Sequence, residues 1–320
     1  MIKKDLTERE NALLVLDHKK PQWTPDVDLC YDMVGIGLVN ETGPMLQSGK
    51  DAFGVPWIAT ESMRMQPTPD PHFILLDDVE NWKSVYHAPD LKALDWEGQA
   101  ERDNARINRE EKLICFRSPN GVFQRLMAFM GFEGMLCALI ESPEACWDFF
   151  EAVTDYKIET VKLAAKYLKP DIFMVFDDVA HASGLFMRPE MFRELIKPHY
   201  KRLYDAVIEC GMIPEHHCCG LCEEIVGDFV DVGARIWNPA EPTNNIVEIQ
   251  KKYGDKLIVA GGFAASGEWL YKPEQKEELL RAEARRCMTT YAPNGSYFFR
   301  DSYQDPCVTD EYLKYQTYGL

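Results

Sequence analysis

Short apolar runs alternate with longer amphipathic stretches along the chain from about residue 112 onward. The apolar runs are hydrophobic at nearly every position, which is typical of parallel strands covered by helices. Six runs predict buried strands, at residues 113–116, 172–176, 212–217, 234–237, 257–260 and 296–299. The stretches between them predict helices, at residues 144–168, 189–210, 221–230, 245–253 and 273–290. Another helix is predicted near residues 7–17, whereas the remainder of about the first hundred residues is irregular.

This alternation predicts an α/β fold, a (β/α)8 TIM barrel with two more strands in the first half and an irregular N-terminal extension. We expect a single domain over residues 1–320, because no composition shift or linker divides the chain. A doubly wound open sheet would show the same alternation. However, no G-x-G-x-x-G follows the first strand and no P-loop is present, which disfavours a nucleotide-binding sheet.

Polar or special residues follow nearly every predicted strand. They occupy positions 117–120, 177–178, 217–220, 238–239, 261–262 and 300–301. The active site of a barrel lies at the carboxyl ends of its strands. The series therefore predicts the rim of a catalytic mouth.

Composition narrows the range of partners and locations. The net charge of −17 disfavours binding to nucleic acid or to an anionic membrane surface. No run approaches the roughly 20 apolar residues of a membrane span, and the start of the chain lacks the apolar stretch of a secretory signal. We therefore expect a cytoplasmic protein whose ten cysteines are reduced thiols, with a few of them acting as metal ligands.

The strongest chemical signal is the segment 215–222, which reads EHHCCGLC. His217 and Cys219 lie two apart at a strand end, so both side chains can point toward one ion. Imidazole nitrogen and thiolate sulfur suit zinc. Alternatively, the histidines are simply hydrogen-bonded and the cysteines are core residues. Cys219 and Cys222 also match a redox C-x-x-C motif, but that motif is expected early in a small βαβ fold.

Other candidate site residues follow the remaining strands. Asp177 and Asp178 are adjacent, so one carboxyl group is expected to enter the mouth, as a proton donor or a substrate ligand. The alternative is a helix N-cap or a salt bridge to a cation at the rim. His181 is a third candidate for this catalytic group. Substrate contacts are predicted for Asn238, Arg300 and Trp57, although each of these could instead serve packing or brace the loops.

Several segments together resemble the uroporphyrinogen decarboxylase superfamily. The segment 184–203, GLFMRPEMFRELIKPHYKRL, resembles the long helix before that family's metal-binding strand. It is followed, in the family's order, by HCCG at 217–220 and by GARIWNP at 233–239. TEREN at 7–11 and DAFGVPW at 51–57 fit the family's opening segments, so the resemblance spans nearly the whole chain.

The superfamily contains two chemistries. Its decarboxylases carry an arginine-rich segment near the N-terminus, similar to R-Q-A-G-R-Y, which holds the tetrapyrrole carboxylates. The equivalent region here, at 29–36, reads LCYDMVGI and contains no arginine. The resemblance therefore implies the other branch, the cobamide-dependent methyltransferases, which use zinc. A decarboxylase that acts on a pyrrole-type or other carboxylate without metal is the alternative, and a metal- or corrinoid-binding accessory protein is a third possibility.

The methyltransferase branch implies specific cofactors and partners. Its zinc is held by H-x-C, here His217 and Cys219, and by a distant cysteine after the last strand. The corresponding stretch at 299–303 has no cysteine, so Cys307 is predicted as the third ligand, with Cys222, Cys287 and Asp301 left open. No D-x-H-x-x-G is present, so the cobalamin would be carried by a separate corrinoid protein. The small-molecule partner would be a methyl donor or a thiol acceptor, and an acid at the mouth favours a methoxylated donor.

Overall fold

The computed structural model describes residues 4–44, 46–61, 66–301 and 303–320. The α-helices are α1 (Glu8–Leu16), α2 (Val27–Cys30), α3 (Trp82–Val85), α4 (Trp96–Asn104), α5 (Val122–Glu141), α6 (Pro143–Tyr167), α7 (Pro189–Leu195), α8 (Lys197–Glu209), α9 (Val226–Val232), α10 (Ile246–Tyr253), α11 (Lys276–Thr290) and α12 (Pro306–Tyr315). The strands are β1 (Tyr31–Val34), β2 (Gly49–Lys50), β3 (Pro56–Ile58), β4 (Thr68–Pro69), β5 (Leu113–Ser118), β6 (Ile172–Phe176), β7 (Ala180–His181), β8 (Gly184–Leu185), β9 (Ile213–His217), β10 (Ile236–Ala240), β11 (Ile258–Gly262) and β12 (Tyr297–Arg300).

A curled parallel sheet forms the centre of the fold and confirms the TIM-barrel prediction. Its strand order is β1-β5-β6-β9-β10-β11-β12, which is also their order along the chain. The edges meet where Asp26 forms a parallel bridge with Phe299, whose backbone N–H donates to the Pro25 carbonyl at 2.8 Å. Eight strands were expected, but the sheet has seven within the described ranges. The segment that would form the eighth strand makes only this bridge, because Pro25 has no N–H and α2 begins at Val27.

Strand alternation divides the apolar residues into two layers. Leu113 and Cys115 on β5 belong to an inner cluster in the barrel lumen, whereas Ile114 and Phe116 belong to the outer layer beneath the helices. Helices α1 and α2 contribute to the inner cluster with residues such as Val15 and close the amino end of the barrel. The loops at the opposite, carboxyl end of the strands carry two small antiparallel sheets, β2-β3-β4 and β7-β8.

Helix boundaries follow local chemistry. The predicted helix at 7–17 is observed as α1, which begins at a capping box: Thr7 Oγ1 accepts from the Glu10 N–H at 3.1 Å, and Glu10 Oε2 accepts from the Thr7 N–H at 2.9 Å. The single helix predicted at 189–210 is instead two helices, α7 and α8, separated at Ile196. Pro198 in the first turn of α8 has no N–H to continue the helical hydrogen bonds, which explains the break.

Helix α5 was not predicted from the sequence. By length and composition alone it is apolar enough to cross a membrane, contrary to the expectation that no such window exists, although half of the window is buried. Its backbone leaves the helical conformation at Gly131, where φ is 71°. It also buries the charged side chain of Arg125, which pairs with Asp51 at 2.7 Å. These are features of a helix packed in the protein core.

Candidate metal centre

Strand β9 is polar although most of it is buried. His216 faces outward and packs on Phe229 of α9, with 4.1 Å between the two ring centroids. The Nδ1 of His216 lies 2.6 Å from the Tyr204 hydroxyl. Burial lowers the pKa of His216 to about 3, so this ring is neutral. Glu215 and His217 alternate with it and face the lumen, where Glu215 accepts from the Tyr31 hydroxyl at 3.1 Å. The strand thus directs one carboxyl group and one imidazole into the barrel.

Three groups of metal-ligand type converge where β6 and β9 end. The ligand atoms of Asp178, His217 and Cys219 all lie within 4.8 Å of one another. His217 Nε2 is 3.4 Å from Cys219 Sγ and 3.9 Å from Asp178 Oδ1. Imidazole nitrogen, thiol sulfur and carboxylate oxygen are all zinc ligands, so the donor set fits this metal.

Neighbouring side chains orient the imidazole of His217. Its Nδ1–H donates to Asn238 Oδ1 at 2.9 Å, because an amide oxygen can only accept, and Nε2 is thereby left as the free lone pair facing Cys219. The ring also stacks on Phe176 at 3.9 Å. Burial, aided by the charge of Arg300, holds the pKa of His217 well below its usual value. The imidazole is therefore neutral, which is the form that binds a metal.

The other two groups are positioned by the backbone and by one side chain. Asp178 Oδ1 accepts from the Cys219 N–H at 2.7 Å, and Asp178 Oδ2 accepts from the Gln124 amide at 3.2 Å. Burial raises the pKa of Asp178, and burial together with the Asp178 carboxyl raises the pKa of the Cys219 thiol. A cation between them would instead lower the pKa values of both groups, since a metal favours thiolate and carboxylate.

Asp177 is directed away from this group and caps a helix. Helix α5 has Gly121 as its N-cap and no capping side chain of its own. Asp177 accepts from the N–H groups of Phe123 at 3.0 Å and Gln124 at 2.7 Å, and from the Tyr200 hydroxyl. It is fully buried. Of the two adjacent carboxyl groups, Asp178 is therefore the one at the mouth.

Replacing Asp177 with alanine should lower the free energy of unfolding by about 2–4 kcal/mol, because two backbone donors and a buried hydroxyl lose their acceptor. The matched control is Asp78→Ala, since Asp78 caps an exposed turn by accepting from the Glu80 N–H at 3.0 Å. That change should cost about 0.5–1 kcal/mol. Denaturant unfolding of both variants measures the difference. Equal costs would refute the capping role of Asp177.

Three further predicted site residues are not members of the metal group (Asp178, His217 and Cys219). His181 is exposed on β7, where its ring stacks on Phe186 at 5.2 Å. Trp57 is buried in the outer core and donates to Asp51 Oδ2 at 3.0 Å. Cys307 lies in the first turn of α12, where its Sγ is 4.0 Å from the Glu277 carbonyl oxygen, and it is not part of the metal group.

The alternatives for the third ligand are also placed elsewhere. Cys222 is buried, and its backbone N–H donates to Asn244 Oδ1 at 3.0 Å. Cys287 is buried within α11. Asp301 accepts from the Tyr303 N–H at 2.7 Å and so organises the turn after β12. Among the described residues, Asp178 is the group that joins His217 and Cys219.

The match to a known family covers most of the chain. A family model for uroporphyrinogen decarboxylase (URO-D) matches residues 54–304. The chain belongs to the uroporphyrinogen decarboxylase family. No curated protein matches this family member in sequence. In fold it is similar to a solved structure, a methyltransferase from Methanosarcina mazei, with a TM-score of 0.68 and 13% identity over 97% of this chain and 98% of that one.

Three residues near the candidate metal centre were not predicted as site residues. Gln124 holds Asp178, Phe176 stacks on His217, and Arg117 lies with its guanidinium carbon 4.6 Å from the Phe176 ring centroid. Arg117 stands in the polar run after the first apolar strand, which was the available signal. Its position beside the metal group depends on the pairing of β5 with β6, which the sequence does not specify.

Proposed function

We propose that this protein is a zinc-dependent methyltransferase that moves a methyl group between a small substrate and the cobalt of a corrinoid protein. The proposal rests on one observation, the convergence of Asp178, His217 and Cys219 within 4.8 Å at the carboxyl end of the strands. Three protein ligands leave a fourth position for substrate, as catalytic zinc sites do. Zinc bound there would act as a Lewis acid on the sulfur or oxygen that carries or receives the methyl group.

Hydrogen bonds from neighbouring groups orient the candidate ligands. Asn238 fixes the tautomer of His217 and so presents Nε2 to the metal position. Gln124 and the Cys219 N–H hold the two oxygens of Asp178. We infer that Asp178 takes the third position for which Cys307 was predicted. The family resemblance to methyltransferases that pair zinc with a corrinoid supports the choice of partner.

The decarboxylase alternative is disfavoured by the N-terminal region, which lacks the arginine-rich segment of the family's decarboxylases. The region at 29–36, where the family's decarboxylases carry arginines, here forms the end of α2, all of β1 and the turn that follows. The lumen-facing side chains of β1 are Tyr31, whose hydroxyl donates to Glu215, and Met33, which packs against the inner cluster. A hydroxyl does not provide the cationic contacts that a polycarboxylate substrate requires.

The test is reconstitution with the metal and with corrinoid. We expect elemental analysis of the purified protein to find about one zinc per chain. The zinc-loaded protein is then mixed with reduced cobalamin and a panel of methoxyaromatics, glycol ethers and methylamines, and the methyl–cobalt spectrum is followed. The reverse direction is measured as consumption of methylcobalamin in the presence of a simple thiol. Full activity of metal-free protein would contradict the proposal, as would carbon dioxide release without methyl transfer.

A further inference from the structure

Two arginines face the same lumen as the metal group. Arg117 on β5, Phe176 on β6 and His217 on β9 form one stack, with the guanidinium carbon 4.6 Å from the Phe176 ring and the Phe176 ring 3.9 Å from that of His217. Arg300 on β12 approaches from the other side and donates to Asn238 Oδ1, the atom that also orients His217. Both cations are therefore one side chain removed from the candidate metal ligand.

Arg117 has no polar partner within the described ranges. None of the residues that the structure describes forms a hydrogen bond or an ion pair with the Arg117 guanidinium. The residue is exposed at the mouth of the barrel. Its contact is with the face of Phe176. Although the residue is solvent-exposed, desolvation of part of its guanidinium and the like charge of Arg300 lower the pKa of Arg117. A guanidinium carries five N–H donors, and those of Arg117 are not bound to any described residue, so they are available to a ligand.

Arg300 is only partly satisfied. Arg300 is opposite Gly262 in the pairing of β11 with β12. Because glycine has no side chain, the Arg300 side chain can cross β11 and reach Asn238. No carboxylate of the described residues lies within ion-pair distance of Arg300. The lumen carboxyl group is Glu215, which is buried and bound to Tyr31 and Asn238 instead.

We propose that Arg117 and Arg300 form a subsite for the carboxylate of the small substrate, beside the metal group. A carboxylate can accept paired N–H donors from each guanidinium and would relieve the repulsion between them. That the acid is the methyl-transfer substrate rests on the proposed function. The existence of the subsite rests on the two arginines alone.

The experiment is a calorimetric titration of the protein, first without added metal and then with zinc, against matched acids and amides. Methoxyacetate and 4-methoxybenzoate are each compared with the corresponding neutral amide, and inorganic phosphate serves as a third probe. We expect at least one acid to bind about 10- to 100-fold more tightly than its amide, as charge-assisted hydrogen bonds to two arginines imply. Arg117→Gln and Arg300→Gln should each reduce this preference about tenfold or more, and Arg117→Lys should restore part of it.

The control variant is Arg102→Gln, because Arg102 is an exposed arginine whose side chain pairs with Asp95 at 3.2 Å. It should keep the full preference for the acid. The subsite is refuted if no acid binds more tightly than its amide, or if both arginine variants keep the preference. Phosphate that binds as tightly as the acids would refute a substrate carboxylate site in favour of a general anion site. Because no cobalt is present, the titration can succeed even if methyl transfer fails, which separates this inference from the proposed function.

Discussion

Under the proposed function, replacing Cys219 with alanine should abolish zinc binding and lower methyl transfer at least about 1000-fold, on the order of 4 kcal/mol of transition-state stabilisation. Its Sγ is 3.4 Å from His217 Nε2, and it is the thiol of the group formed with Asp178 and His217. Without it, an imidazole and a carboxylate remain, too few to hold a catalytic zinc. Elemental analysis and the methyl–cobalt assay, run on the same preparation, measure both losses.

The matched control is Cys137→Ala, since Cys137 is an exposed thiol on α5, outside the candidate site. It should retain both zinc and activity. A Cys219→Ala protein that keeps its metal would contradict the assignment, and one that loses the metal but remains active would contradict the mechanism.

The identity of the third ligand is tested by a second pair of variants. Asp178→Ala should lower the zinc content, whereas Cys307→Ala should leave it unchanged, because the Cys307 thiol faces the Glu277 carbonyl and lies outside the metal group. The opposite result would favour Cys307, the ligand that the sequence predicts.

The contrast between Cys307 and Asp178 shows where reasoning from the sequence ends. The methyltransferase branch of the family has a zinc-binding cysteine after the last strand, and Cys307 is the nearest thiol to that position in this sequence. Asp178 lies far from His217 along the chain, and only the pairing of β6 with β9 brings them together. In that register Phe176 is opposite His217, so Asp178 and Cys219 each lie two residues beyond a paired position. Parallel pairing was predicted, but its register was not.

The barrel itself was more predictable than the site. Strands such as β6 and β11 are continuously apolar, so burial on both faces follows directly from composition. Helix α5 was missed because it is apolar over most of its surface and therefore shows no clear helical period. Its helical path also breaks at Gly131, which shortens any regular pattern on either side. Local periodicity thus predicts elements that have one polar face and misses those that are apolar on most sides.

A second large effect is expected at Asp51, on the segment that packs against α5. Replacing Asp51 with alanine should lower the free energy of unfolding by about 3–5 kcal/mol, because it leaves a buried guanidinium without its counter-ion. Asp51 and Arg125 pair at 2.7 Å, and their side chains are 0% and 1% exposed. Asp51 also accepts from the N–H groups of Phe53 and Val55, both at 2.9 Å. Denaturant unfolding measures the change.

The comparison with an exposed ion pair separates burial from charge. Glu248 and Lys251 pair at 2.7 Å with both side chains about 60% exposed, so Glu248→Ala should cost at most about 0.5 kcal/mol. The double variant Asp51→Leu with Arg125→Met removes both buried charges and should recover part of the loss, since no uncompensated ion remains. If Asp51→Ala costs no more than the exposed control, the buried pair does not hold the segment against α5. Because Gln124 of that helix holds Asp178, a loosened α5 should also weaken zinc binding, which links this distant ion pair to the metal centre.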